Sequence, residues 1–137
     1  MSKGNKYWTG NKGKIWINDK RYADCYKAEM KRTNNYEEIP DPEGNGIIQV
    51  PNGFSIAGSV TMRKTGNEEI LQDLKEDMDG TLDISMIIKE ENPITGKIER
   101  VKYEGVTVDE FPLSQFEKRA ITEVELPLKA SAYEVLQ

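Results

Sequence analysis

The 137-residue chain has no histidine and one cysteine, Cys25. Without imidazole, the commonest general base is missing, and with it the Ser–His–Asp type of triad and imidazole–metal clusters. A single thiol makes neither an internal disulfide nor a Cys-based zinc site, and with no histidine to activate it Cys25 reads as a quiet thiol. No stretch approaches the roughly 18 consecutive apolar residues of a membrane span. The start, Met1-Ser2-Lys3-Gly4-Asn5-Lys6, lacks the apolar core of a signal peptide, so a soluble protein made without export is expected. A Gly-rich phosphate loop is absent in both of its common forms.

What is present fits one folded domain: 36% apolar and 31% charged residues on a chain of ordinary domain length. The net charge is −5 but unevenly spread. Residues 1–32 hold nine Lys/Arg against three Asp/Glu, a balance of +6, whereas residues 33–137 balance to −11. A basic stretch with Tyr7, Trp8 and Trp16 fits nucleic-acid contact, since lysines neutralise phosphates and aromatics stack on bases. The favoured reading is a solvated basic arm whose tryptophans pack on the domain. Opposite charge at the two parts of one chain also suits a head-to-tail contact between copies.

Along the chain, residues 1–13 have no apolar period and read as a flexible basic N-terminal arm, with residues 14–137 as a single domain. Residues 14–18 and 21–33 alternate as strands. Residues 33–53 carry Pro40, Pro42, Pro51 and a turn-prone 41–46, and so read as a long loop. It is nevertheless apolar at Tyr36, Ile39, Ile47, Ile48 and Val50, side chains that need cover. Residues 53–65 alternate strictly, with Phe54, Ile56, Gly58, Val60 and Met62 on one face and Ser55, Ala57, Ser59, Thr61 and Arg63 on the other. Asn67 then caps a helix of about twelve residues whose stripe is Ile70, Leu71, Leu74 and Met78. Further strands are expected over 81–91, 97–103, 106–111, 120–129 and 132–136. A hairpin loop falls at 92–96, a bulge at Gly105 and one helical turn at 112–116. Pro127 argues for an edge position or the end of that strand. The sum is a mainly β fold, a β-sandwich or barrel, with one flanking α-helix.

The search for chemistry finds no specific site. Asp41-x-Glu43-x-Asn45-Gly46 imitates half a calcium loop, but the twelfth position is Asn52 where a glutamate is required. Asp77, Asp79 and Asp83 read as solvated acids rather than a magnesium site. Neither catalytic residues, a cofactor nor a metal is expected. Apolar faces, an apolar loop, a basic arm and an acidic body fit a self-assembling protein better than an enzyme. The alternative is a monomeric β-sandwich module that binds sugar or single-stranded nucleic acid through Trp8, Trp16 and the lysines of the arm.

The strand Phe54-Ser55-Ile56-Ala57-Gly58-Ser59-Val60-Thr61-Met62-Arg63-Lys64, running straight into a short amphipathic helix, resembles the tail tube proteins of contractile-tailed phages. The likeness is to the PBSX-type defective prophage family. The run Tyr103-Glu104-Gly105-Val106-Thr107-Val108-Asp109-Glu110-Phe111-Pro112-Leu113-Ser114-Gln115-Phe116-Glu117 and the closing Glu123-Val124-Glu125-Leu126-Pro127-Leu128 resemble the same family. The resemblance implies hexameric rings stacked into the inner tube of a contractile tail or phage-tail-like particle. It implies sheath, baseplate and terminator proteins as partners, and DNA only as non-specific passing cargo. Location in a virion tail, after assembly in the host cytoplasm, follows from the same likeness. On that view Tyr36, Ile39, Ile47, Ile48 and Val50 meet a neighbouring subunit or ring, and Ser55, Ser59, Thr61, Asp83 and Ser85 line the channel.

Overall fold

The computed structural model describes Trp8, residues 13–66 and residues 68–136. In chain order the elements are β1 (Lys14–Ile17), β2 (Lys20–Arg21), β3 (Cys25–Pro40), β4 (Ile47–Arg63), helix α1 (Glu69–Glu76), β5 (Ile84–Glu91), β6 (Ile98–Val108), β7 (Glu123–Ala130) and β8 (Ala132–Leu136). Every strand pairing is antiparallel, in the order β2-β1-β5-β6-β7-β4-β3, with β8 added to β6. The mainly β class with one flanking helix is therefore observed.

The sheet folds over itself at one corner. Residues 98–104 of β6 lie between β5 and β8, but Thr107 and Val108 pair with β7. Between the two sits Gly105, at φ +62°, where β6 carries one residue more than β5. This is the expected bulge, and glycine is required there because a Cβ would stand 2.0 Å from Ser131 Oγ. Ser131 divides β7 from β8 and is pinned to the corner: its amide and its hydroxyl both donate to the Glu104 carbonyl, each at 3.1 Å. Two layers result, a β5 sheet (β2-β1-β5-β6-β8) and a β4 sheet (the end of β6, then β7-β4-β3).

Alternation fixes what lies between them. Ile15, Ile17, Ile84, Met86 and Tyr103 face inward from the β5 sheet; Ile56, Val60, Met62, Val124, Leu126 and Leu128 meet them from the β4 sheet. Helix α1 adds Ile70, Leu71 and Leu74. Its first turn is held by the Tyr22 hydroxyl, which accepts the Ile70 amide at 2.9 Å, and by the ion pair Lys20–Glu69. Glu68 is buried at the cap position, and its carboxylate accepts from the Thr65 amide (2.6 Å), the Thr65 hydroxyl (3.0 Å) and the Gly66 amide (3.0 Å). Asn67, the cap expected from sequence, lies outside the described residues.

Four expectations are corrected here. Residues 33–53 are no loop: β3 and β4 pair in register from Thr33↔Ser55 to Pro40↔Ile47, and only 41–46 turn. The prolines are tolerated because Pro40 ends its strand, Pro42 lies in the turn, and Pro51 sits opposite Tyr36 beside a register shift where β4 has no second neighbour. Met78 is 90% exposed because the helix ends at Glu76, before the stripe reaches it. Residues 112–116 form no helical turn. Pro127 is in an interior strand, opposite Ser59, and falls where the β6–β7 pairing ends: its carbonyl accepts the Asp109 amide at 2.9 Å, so proline costs only the return bond of that last pair.

Burial pushes the Glu68 pKa up, but the amides of Thr65, Glu68 and Gly66 and the Thr65 hydroxyl outweigh it and leave the carboxyl below its ordinary value. A depressed folded-state pKa stabilises above the unfolded value and is lost as pH falls through the folded value. Glu68→Gln should therefore lower the melting temperature at neutral pH and shrink the gap from wild type in acid. A constant difference from pH 7 to pH 3, measured by circular dichroism, would contradict this.

Candidate assembly surfaces

The hairpin of β3 and β4 leaves the body once β4 parts from β7 at the Ile56↔Ala130 pair. From Asn34 to its tip it extends about 20 Å, at about 3.4 Å per residue, as a two-stranded ribbon. Ile39, Ile48 and Val50 share one of its faces, Tyr36, Ile47, Pro40 and Pro51 the other, and all are exposed, Ile47 at 64%. Polar support within the ribbon is thin: Gln49 donates to Glu38 at 3.1 Å, and Asp41 accepts the Glu43 amide in the turn. A lone two-stranded hairpin is marginal in water, and one apolar on both faces is more so. All five contact residues expected from sequence are thus brought together, on two opposite faces.

Two long strand edges are also open. Among the described residues β3 pairs only with β4, and β8 only with β6. At the root of the hairpin these edges flank the open mouth of the two-layer body. There Arg32 lies over the Phe54 ring at 4.1 Å and donates to the Tyr133 hydroxyl at 2.7 Å, and Phe54 meets Tyr133 edge-on. This cluster escaped the sequence reading, since Phe54 and Arg32 sit within ordinary alternation and only the register joins them to β8.

The outward faces of the two sheets differ in charge. On the β4 sheet, Ser55, Ala57, Ser59 and Thr61 run down the central strand with Lys27, Glu29 and Lys31 beside them on β3 and Glu123, Glu125 and Lys129 on β7. Signs are interleaved and paired: Lys31–Glu29 at 3.0 Å, Lys129–Asp109 at 3.6 Å. Arg63 covers the Tyr26 ring, and the Tyr26 hydroxyl donates to Glu123 at 2.7 Å, an interaction that holds the phenol above its ordinary pKa. On the β5 sheet, by contrast, Lys14, Lys89 and Arg100 stand directly opposite one another across three strands, with no ion pair among the described residues. In-register like charges cost stability. Ser85 belongs to this second sheet and Asp83 lies just before its strand β5; Ser85 is tied to Asn18, which accepts its amide at 2.9 Å. Ser55, Ser59 and Thr61 therefore share a wall that Asp83 and Ser85 do not. Trp16 packs half-buried beside Arg21 and Ile87 on the β5 sheet, and Trp8 is exposed.

Other singled-out residues have local roles. Burial raises the Cys25 pKa, in keeping with a quiet thiol. Asp77 accepts the Thr81 and Leu82 amides, closing the turn after the helix.

A family model described as phage tail tube protein matches residues 2–137. The chain belongs to that family. No curated protein sequence matches it. Among solved structures, a chain of an extracellular contractile injection system, the PVC sheath–tube complex in the extended state, superposes with TM-score 0.76 at 11% identity, covering 99% of this chain and 98% of that one. A chain of the anti-feeding prophage cap, a tube-terminating cap, gives 0.74 at 9% identity over 95% and 91%. One from the six-fold symmetrised anti-feeding prophage baseplate gives 0.67 at 10% identity over 90% of both. As a phage tail tube family member the chain has a structural role in a phage-tail-like particle, as the sequence resemblance implies; at these identities the likeness to the solved chains is one of fold.

In dilute, unassembled protein, amides over 35–51 should exchange with solvent far faster than those of β7, and gain protection on assembly. Equal protection of the two segments in the monomer, by hydrogen-exchange mass spectrometry, would contradict the reading of the hairpin as unsupported.

Proposed function

We propose that this tail tube protein polymerises as stacked hexameric rings into the inner tube of a contractile tail or related particle, and that the tube conducts DNA or punctures an envelope. The carrying observation is the hairpin, apolar on both faces and long enough to reach another subunit, beside two open strand edges. Edges that a monomer must hide become the joints of an assembly when a sister copy completes them. Contacts between unlike surfaces propagate: they close into a ring where the rotation allows, and extend as a filament where it does not. Six subunits per ring is the number the family resemblance implies, and the baseplate relative was solved with six-fold symmetry.

The channel wall in this reading is the outward face of the β4 sheet, with Ser55, Ser59 and Thr61 on it. Its interleaved charges leave no net positive strip, whereas the β5 sheet would present Lys14, Lys89 and Arg100 together. Phosphates neutralised by clustered cations are held by counterion release, which opposes sliding. DNA is thus passing cargo, sheath, baseplate and terminator proteins are the partners, assembly takes place in the host cytoplasm, and the protein has no catalytic activity of its own.

Ile47 and Ile48 lie on opposite faces of the hairpin, and full burial of such a side chain is worth about 1.5–3 kcal/mol. The pair Ile47→Asp and Ile48→Asp should leave a folded protein that no longer forms tubes in electron micrographs. Unchanged tubes would remove the hairpin from the assembly contact.

A further inference from the structure

The loop between β6 and β7, residues 109–122, carries Leu113, Phe116 and Ile121 in the open, Phe116 at 81% exposure. Nothing among the described residues covers them. Elsewhere the body has a cavity it does not fill. The mouth between the layers, beside the root of the hairpin, holds a groove of about 190 Å³ lined by Met30, Arg32, Ile56, Val101, Tyr133 and Val135 among others. An apolar cavity of about 150 Å³ holds a benzene ring, so the groove has room for a phenyl side chain.

The loop that carries the knob is attached away from the groove, between Asp109, whose amide donates to the Pro127 carbonyl, and Glu123. The loop leads into Glu123 at the start of β7, while Ala130 at its end pairs with Ile56, which lines the groove. Seven residues at about 3.4 Å each separate them by about 24 Å. Charge also matches. Arg32, on the groove wall, uses Nε on Asn34 and Nη1 on Tyr133 and has no carboxylate partner among the described residues. Glu117, next to Phe116, has no cationic one among the described residues. An arginine carries five donors, so the guanidinium retains free N–H groups for a carboxylate.

We propose that Phe116 of one copy fills the groove of a second copy, with Glu117 pairing to Arg32 at its rim. The inference rests on the tube reading and adds to it a specific contact between unlike surfaces. Such a contact uses one of the two surfaces of each molecule and leaves the other free, so every added copy offers the next groove.

The test compares full-length wild type, Phe116→Asp and Val135→Arg by sedimentation and negative-stain microscopy, with circular dichroism to check folding. Each variant alone should need about ten-fold or more protein to assemble, as expected on losing a central anchor. The first keeps a sound groove and the second a sound knob, so their equimolar mixture should join across one contact and stop. Arg32→Glu and Glu117→Arg should each weaken assembly and together restore it, which decides the matter if Val135→Arg does not fold. Folded Phe116→Asp assembling like wild type, full-length tubes from the mixture, or a charge swap without recovery would each overturn the contact while leaving the tube reading intact. Wild type that never assembles would overturn both.

Discussion

A two-stranded ribbon has no interior. Among the described residues, nothing beyond the hairpin itself takes most of its apolar surface past Ile56 out of water. Hydrophobic burial at about 25 cal/mol per Å² is the main favourable term in folding and association alike. On the proposed function, a chain that exposes Tyr36, Ile39, Ile47, Ile48 and Val50 on two faces defers part of its folding to assembly. The rest of the structure fits that proposal: the body is a rigid mount for an exposed blade.

The mount is rigid for identifiable reasons. Gly58 allows β3 and β4 to approach so closely that a Cβ there would lie 1.9 Å from the Glu29 carbonyl, so the base of the blade is fixed against the core strand. Val60, Met62, Leu126 and Val124, all nearly inaccessible, lock β4 to β7 across eight register pairs. The corner at Gly105 and Ser131 turns the sheet over so that one outward face interleaves its charges, while the other sets Lys14, Lys89 and Arg100 in one row beside the Lys102–Glu104 pair. Two faces with different electrostatics suit a wall with an inside and an outside, and strand alternation supplies both from one short sequence.

Much of this was legible in the sequence. Strict alternation over 53–63 located the body half of β4, Asn92-Pro93-Ile94-Thr95-Gly96 located the turn between β5 and β6, and the isolated glycine at 105 located the bulge. The loop reading of 33–53 failed because proline and glycine were weighed as breakers in general. A strand edge with no neighbour loses nothing to a proline, and no local signal says where a neighbour is missing. The channel set split for a related reason: alternation assigns a face within a strand, but not which sheet the strand joins, so Ser85 and Ser59 read alike and lie on different walls. Arg32, Phe54 and Tyr133 are brought together by register between distant segments, which composition does not encode. Met78 was included by periodicity carried past the point where Asp77 turns the chain. The apolar run around Phe116 was readable as text, and only the structure shows that it stays exposed among the described residues.

Family membership, fold and exposed joints converge on one claim, that the molecule is completed by copies of itself. Electron microscopy of the purified full-length chain over a rising concentration series tests this most directly. Annular particles with an open centre, stacking into hollow rods as concentration increases, are the predicted result. A species that remains a single copy at every concentration and salt condition would contradict it.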